Sequence, residues 1–162
     1  MKHPERIELA PGYSISKIIT GLWQVADIEK EDGSMDLGPA ASALVDYAES
    51  GFDTFDMADH YGSAELIAGH ARRKMQEHDS ANGSSSQARF HTKWCPKPGE
   101  MNPQKVREGV LLSAERLDME QIDLMQFHWW NYEHPQYLDA MEGLQALKEE
   151  GIICHLGLTN FD

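Results

Sequence analysis

The sequence lacks the residues and runs that mark several classes of protein. It has only two cysteines, Cys95 and Cys154, with neither CxxC spacing nor a matching histidine pattern, so a zinc site is not predicted. Two isolated thiols instead favour a reducing, intracellular compartment. No apolar run approaches the roughly 20 residues that cross a bilayer. The amino terminus has no apolar signal region and no Arg- and Ser-rich amphipathic pattern, so a cytoplasmic location is expected.

Basic residues are scarce as well. Lysine and arginine number 14 against 27 aspartates and glutamates, which gives a formal net charge of −13. So acidic a surface repels phosphate backbones and anionic lipid, and we therefore expect neither nucleic acid nor a membrane as a partner. The chain has 162 residues, of which 41% are hydrophobic and 25% charged. These values are ordinary for one globular domain covering residues 1–162.

Strand-like apolar runs alternate with amphipathic helix patterns along the chain. The strands begin near residues 18, 52, 90, 122 and 152, a period of about 30 to 38 residues that fits a strand–helix unit. Helices are predicted over 39–50, from Ser63, from Asn102 with Pro103 at the first helical position, and over 135–150. A polar, Ser-rich stretch at 76–88 is interpreted as a flexible insertion loop.

Two architectures share this alternation, an open doubly wound sheet and a (β/α)₈ barrel of the TIM type. No GxGxxG turn follows the first strand, which disfavours the doubly wound sheet. Polar side chains instead follow all five strands at their carboxyl ends, where (β/α)₈ barrels build their active sites. These side chains are Gln24, Asp56, His60, Tyr61, Lys93, His128, Thr159 and Asn160.

Five motifs in this register resemble those of the aldo-keto reductase family. Asp56 and Tyr61 stand five residues apart, as the family's catalytic Asp and Tyr do. Lys93 in His-Thr-Lys-Trp and His128 at the end of Asp-Leu-Met-Gln-Phe-His resemble the other two members of its catalytic tetrad. Residues 157–161 resemble the Gly-x-Ser-Asn-Phe segment that holds the nicotinamide, with Thr159 in place of Ser. The resemblance extends over nearly the whole chain.

The resemblance implies an NADP(H)-dependent oxidoreductase that interconverts an aldehyde or ketone and an alcohol. NAD(H) is kept as an alternative, because no segment for the 2′-phosphate is visible. The family's barrel has eight strands, and about 250 residues is usual for such barrels. The chain is therefore expected to form an incomplete barrel of about five β/α units, ending before the barrel can close.

The resemblance also assigns roles to individual residues. Tyr61 would be the general acid and base, and Lys93, paired with Asp56, would lower the pKa of its phenol toward working pH. His128 would donate a hydrogen bond to the substrate oxygen. The predicted cofactor-binding residues are Thr159, Asn160 and Asp56. The predicted substrate-pocket walls are Trp23, Trp94 and Trp129.

Other interpretations of these residues stay open. Taken singly, Asp56 could be a turn residue, Tyr61 a packing residue and His128 a core histidine, but four such residues in strand-end register favour catalysis. A metal site built on His60 and His128 is not predicted, because no HxH pattern occurs. The alternative function is a catalytically inactive barrel fragment or a non-catalytic binding subunit that needs a partner chain. Its open sheet edges would then favour self-association.

Overall fold

The computed structural model describes residues 3–26, 36–83 and 87–161, which contain seven strands and four helices. The strands are β1 (Arg6–Ala10), β2 (Tyr13–Ser16), β3 (Thr20–Gly21), β4 (Thr54–Asp56), β5 (Arg89–Trp94), β6 (Ile122–His128) and β7 (Ile153–Thr159). The helices are α1 (Leu37–Glu49), α2 (Ala64–Asn82), α3 (Pro103–Leu117) and α4 (Tyr137–Glu149).

Strands β3 to β7 form one parallel sheet whose spatial order is the chain order. A doubly wound sheet reverses its strand order partway, and this sheet does not. Helices α1 to α4 connect successive strands, so the five predicted strands and four predicted helices are all present. The architecture is α/β, an incomplete barrel of the (β/α)₈ type, as the sequence predicts.

The hydrophobic core lies between the sheet and the helices, in two clusters. One joins α1 and α2 to β4 and β5 around Phe55, Ile67 and Phe90. The other joins α3 and α4 to β5, β6 and β7, with Val110 and Leu144 among its members. Burial of one such side chain stabilises the fold by about 1.5–3 kcal/mol. These clusters fix the outward face of each strand, so the alternate side chains face the interior of the barrel.

Strands β1 and β2 form an antiparallel hairpin at the end of this interior where the parallel strands begin. The sequence analysis did not predict this hairpin. The backbone N–H of Ser16 donates to Oγ1 of Thr54 at 3.0 Å. The hydroxyl of Tyr13 lies 2.9 Å from Nε2 of His91, and the Tyr13 ring packs 4.3 Å from the ring of His155. The hairpin therefore anchors three strands of the sheet near their amino-terminal ends.

The predicted loop at 76–88 is wrong for its first seven residues, because α2 continues through Asn82. Helix-favouring residues such as Gln76 and Glu77 extend it, and the hydroxyl of Ser80 bonds the carbonyl of Gln76 at 2.8 Å. The carboxyl-terminal part of α2 is mostly exposed, so its residues are polar and lack the apolar periodicity from which the helices were predicted. The helix ends at Gly83, whose φ is +66°, and residues 84–86 lie outside the described residues. None of the described helices is both long and apolar enough to span a membrane.

Burial of His91 makes stability depend on pH. Burial lowers the pKa of His91 from 6.5 to about 4, and the positive charges of Lys93 and Arg89 oppose its protonation further. Between pH 4 and 6.5 the unfolded chain binds more protons, so the contribution of His91 is complete above pH 6.5 and is lost as the pH falls toward 4. The loss is on the order of 3 kcal/mol. The free energy of unfolding, measured with urea, should fall less between pH 6.5 and 4 for His91→Gln than for the parent chain. Equal pH dependence of the two free energies would contradict the prediction.

Candidate active site

The centre of the candidate site is a partly buried ion pair between neighbouring strands. Asp56 is the last residue of β4, and Lys93 lies next to the end of β5. Nζ of Lys93 donates to Oδ2 of Asp56 at 2.5 Å and to the carbonyl of Met57 at 2.8 Å. Lys93 is only 8% exposed, so its ammonium depends on these oxygens in place of water.

Tyr61 lies beside this pair, in the loop between β4 and α2. Nζ of Lys93 is 5.3 Å from the centre of the Tyr61 ring, and Trp23 meets the ring edge-on with the centroids 4.6 Å apart. Burial raises the pKa of the Tyr61 phenol, and the negative charge of Asp56 raises it further. The expected lowering of this pKa is therefore wrong for this arrangement. The ammonium already pairs with Asp56, whose charge opposes the phenolate, and Tyr61 is protonated at neutral pH.

His128 closes the site from the end of β6. Burial lowers its pKa, and the positive charges of His60 and Lys93 lower it further, so the imidazole is neutral at pH 7. Nε2 of His128 lies 2.9 Å from Nδ2 of Asn160. With that amide nitrogen as donor, Nε2 accepts and the imidazole carries its proton on Nδ1.

Gln126 connects the ion pair to the end of β7, and the sequence analysis did not single it out. Its amide nitrogen donates to Oδ1 of Asp56 at 2.8 Å, and its amide oxygen accepts from the hydroxyl of Thr159 at 3.2 Å. A signal was available, because Gln126 is a polar residue two positions before His128 on the same strand. The period of two in a strand puts both on the interior face.

The segment that follows β7 brings Thr159 and Asn160 next to His128. Asn160 has a left-handed backbone with φ of +59°, a conformation that asparagine tolerates better than most residues. The hydroxyl of Tyr132 donates to the carbonyl of Asn160 at 2.6 Å and holds the turn. The structure thus collects all the predicted catalytic and cofactor-binding residues at the carboxyl ends of four strands.

Two of the three predicted pocket tryptophans are elsewhere. Trp94 and Trp129 are buried in the cluster beneath α3 and α4, and the indole N–H of Trp129 donates to the carbonyl of Asn131 at 2.7 Å. Each directly follows a residue that faces the interior, and alternation turns it to the helix side of the sheet. Trp23 does reach Tyr61, and Trp130, which the sequence analysis did not name, packs 4.0 Å from the His128 ring.

Comparison with known proteins places this site in a family. The aldo/keto reductase family model matches residues 17–162, and the chain belongs to that family. It is 26% identical over 161 residues to methylglyoxal reductase DkgA of Escherichia coli, covering 99% of this chain and 51% of the relative. It is 26% identical over 118 residues to the chloroplastic pyridoxal reductase of Arabidopsis thaliana, covering 70% and 32%. The chain spans about half the length of most curated relatives that it matches.

Solved structures show the same fold. A thermostable aldo-keto reductase in complex with the inhibitor epalrestat superposes with a TM-score of 0.79 at 22% identity, covering 98% of this chain and 54% of that one. The Bombyx mori aldo-keto reductase in complex with NADP gives 0.73 at 21% identity, covering 100% and 52%. Both cover little more than half of the solved chain, so the fold described here corresponds to part of their barrels.

The corrected position of Trp94 can be tested at Gly109, on α3. A Cβ added at Gly109 would lie 2.3 Å from Nε1 of Trp94, so Gly109→Ala should cost about 1–3 kcal/mol of unfolding free energy. Alanine in place of glycine inside a helix otherwise stabilises by up to about 1 kcal/mol. Urea unfolding measures the difference, with Glu108→Ala on the exposed side of the same helix as control. A stabilised Gly109→Ala would contradict this placement of Trp94.

Proposed function

We propose that this protein is a nicotinamide-dependent oxidoreductase that reduces small aldehydes or ketones, with Tyr61 as proton donor. The observation that carries the proposal is the Lys93–Asp56 pair, whose ammonium lies 5.3 Å from the Tyr61 ring. Family membership supports the reaction class. Two relatives are named for aldehyde substrates, methylglyoxal and pyridoxal. The expected cytoplasmic location stays a prediction.

The residues after β7 fit the nicotinamide end of the cofactor. The Thr159 hydroxyl donates a hydrogen bond to Gln126, which leaves the lone pairs of the Thr159 oxygen available to a carboxamide N–H. Asn160 offers both an amide donor and an amide acceptor on an exposed turn beside His128. The cofactor would supply the hydride. We propose NADP(H), which is bound in solved neighbours from Bombyx mori and Klebsiella pneumoniae, with NAD(H) as the alternative, since one Escherichia coli relative is named NADH-specific.

Proton delivery follows from the state of Tyr61. Its raised pKa keeps the phenol protonated at neutral pH, which is the form that can donate to a carbonyl oxygen. Donation leaves a phenolate, and the ammonium of Lys93 lies close enough to stabilise that charge electrostatically. Asp56 and the carbonyl of Met57 hold the ammonium in place throughout.

His128 would orient the substrate oxygen as a neutral hydrogen-bond donor. In the structure Nε2 accepts from Asn160, so it has no proton to give in that direction. If Asn160 turned its amide toward a bound carboxamide, Nε2 of His128 would lose this donor, and the tautomer with a proton on Nε2 would become available. Cofactor binding would in this way allow His128 to donate a hydrogen bond from Nε2 to the substrate oxygen.

Removal of the Tyr61 hydroxyl tests the proposed function. Tyr61→Phe should lower the rate of carbonyl-dependent NADPH oxidation by about 10²–10⁴-fold, the usual contribution of a positioned general acid. NADPH binding, followed by quenching of tryptophan fluorescence, should be unchanged because the phenol oxygen is not needed to hold the cofactor.

The matched control is Tyr47→Phe, which removes a hydroxyl from an exposed tyrosine on α1. It should retain both binding and turnover. Unchanged turnover in Tyr61→Phe would overturn the assignment of the proton donor, and a chain that binds NADPH without any turnover would favour the second candidate.

The second candidate is a catalytically inactive barrel fragment or a non-catalytic binding subunit that needs a partner chain, and one observation favours association with a partner. The outer edge of β7 has no strand beside it among the described residues. Its apolar side chains and those of α4 line a hollow of about 230 Å³ that includes Met141, Leu156 and Leu158. Leu158 is 52% exposed. An unpaired strand edge with an apolar flank is a surface that associates readily.

Sedimentation of the purified chain tests this association. We expect self-association that weakens by about tenfold in Leu158→Lys, because a charge in the hollow must be desolvated at the contact. Leu111→Lys is the control, since Leu111 is similarly exposed on α3, away from this edge. A parent chain that stays monomeric at every concentration would eliminate self-association.

A further inference from the structure

Three side chains of different chemistry meet beside the candidate active site without a role in it. They are Asp59 and His60, in the loop between β4 and α2, and Cys95, directly after β5. A carboxylate oxygen, an imidazole nitrogen and the thiol sulfur of these residues all lie within 4.8 Å of one another. We call these residues the entrance cluster.

The backbone holds the entrance cluster in place. The N–H of Asp59 donates to the carbonyl of Lys93 at 2.9 Å, and the N–H of Cys95 donates to Oδ2 of Asp59 at 3.0 Å. Oδ1 of Asp59 lies 3.0 Å from Nδ1 of His60. Two of the three groups are thus tied to the end of β5, while the His60 side chain is 39% exposed and can move.

This set of donors suits a particular kind of ion. Thiolate, imidazole and carboxylate together are typical ligands of Zn²⁺, at about 2.0–2.3 Å from the metal. Tetrahedral ligands at such distances lie about 3.5 Å from one another. The groups of the entrance cluster, which lie within 4.8 Å of one another, would have to approach by at most about 1.3 Å, through rotation of the exposed His60 and adjustment of the Asp59 and Cys95 side chains. Three protein ligands would leave a fourth position open to water.

The charges around the cluster permit a cation. Lys93 is a neighbour of the cluster, since its carbonyl accepts from the N–H of Asp59, and its ammonium is paired with Asp56. Arg116, which donates to the carbonyl of Asp59 at 3.1 Å, is paired with the buried carboxylate of Glu65. Both neighbouring positive charges are therefore compensated, and Asp59 brings a negative charge of its own.

We propose that Asp59, His60 and Cys95 form a Zn²⁺-binding site at the entrance of the candidate active site. His60 packs against Tyr61 with the ring centres 4.8 Å apart, so an ion held there would lie beside the proposed proton donor. Zn²⁺ would displace the hydrogen bond between His60 and Asp59 and would restrict access of a substrate to Tyr61. The site does not depend on the proposed oxidoreductase activity.

Cobalt substitution tests the site without any need for turnover. Co²⁺ added to the reduced chain should give a thiolate-to-cobalt charge-transfer band with a stoichiometry of one ion per chain, and Zn²⁺ should displace it. Cys95→Ser should abolish the band. His60→Ala, a change at an exposed side chain, should weaken Co²⁺ binding by about tenfold or more. Loss of a residue that only hydrogen-bonds to a metal ligand already lowers affinity by about tenfold, and loss of a ligand should lower it at least as much. Circular dichroism shows whether each variant is folded.

Cys154→Ser is the matched control, because Cys154 is the other free thiol and lies in β7. It should leave the band and the Zn²⁺ affinity unchanged. The proposal is overturned if the parent chain gives no charge-transfer band, if the band follows Cys154 instead of Cys95, or if His60→Ala binds as tightly as the parent.

Discussion

The contact between Lys93 and Asp56 is the constraint on which the rest of the site depends. An ammonium that is 8% exposed needs acceptors at hydrogen-bond distance, and these exist only if β4 and β5 are parallel neighbours in the observed register. That register also brings the carbonyl of Met57 to the same ammonium. A shift of one residue would turn Lys93 into the apolar layer, at a cost of several kcal/mol for an unpaired buried charge.

The alternation of side chains along each strand determines which residues at the strand ends face the interior of the barrel. Lys93 and His128 face the interior, so the residues that follow them, Trp94 and Trp129, must enter the helix layer. Their aromatic character made them attractive as pocket walls in sequence, but the period of two excludes that position. Trp130 lies two residues after His128, so the same period of two returns it to the side of His128, whose ring it contacts.

Sequence reasoning predicted what periodicity and strand-end position determine, namely the order of strands and helices and the convergence of Asp56, Tyr61, Lys93 and His128 at one end of the sheet. It failed where the outcome depends on geometry between distant segments. The pKa of Tyr61 rises because burial disfavours the phenolate and because the negative charge of Asp56 opposes it, a balance that spacing along the chain does not specify. The polar end of α2 was read as a loop because an exposed helix needs no apolar stripe.

Gln126 connects the residues of separate sequence motifs, because it is hydrogen-bonded to both Asp56 and Thr159. Lys93 and Gln126 both donate hydrogen bonds to Asp56, and Thr159 donates one to Gln126, so four neighbouring strands share one polar network. Thr159 and the Asp56 carboxylate, which holds the ammonium beside Tyr61, thus share Gln126 as a hydrogen-bond partner. Such networks are stable only when every member is satisfied. The groups proposed to hold the nicotinamide and those proposed to move the proton are, for this reason, one structural unit.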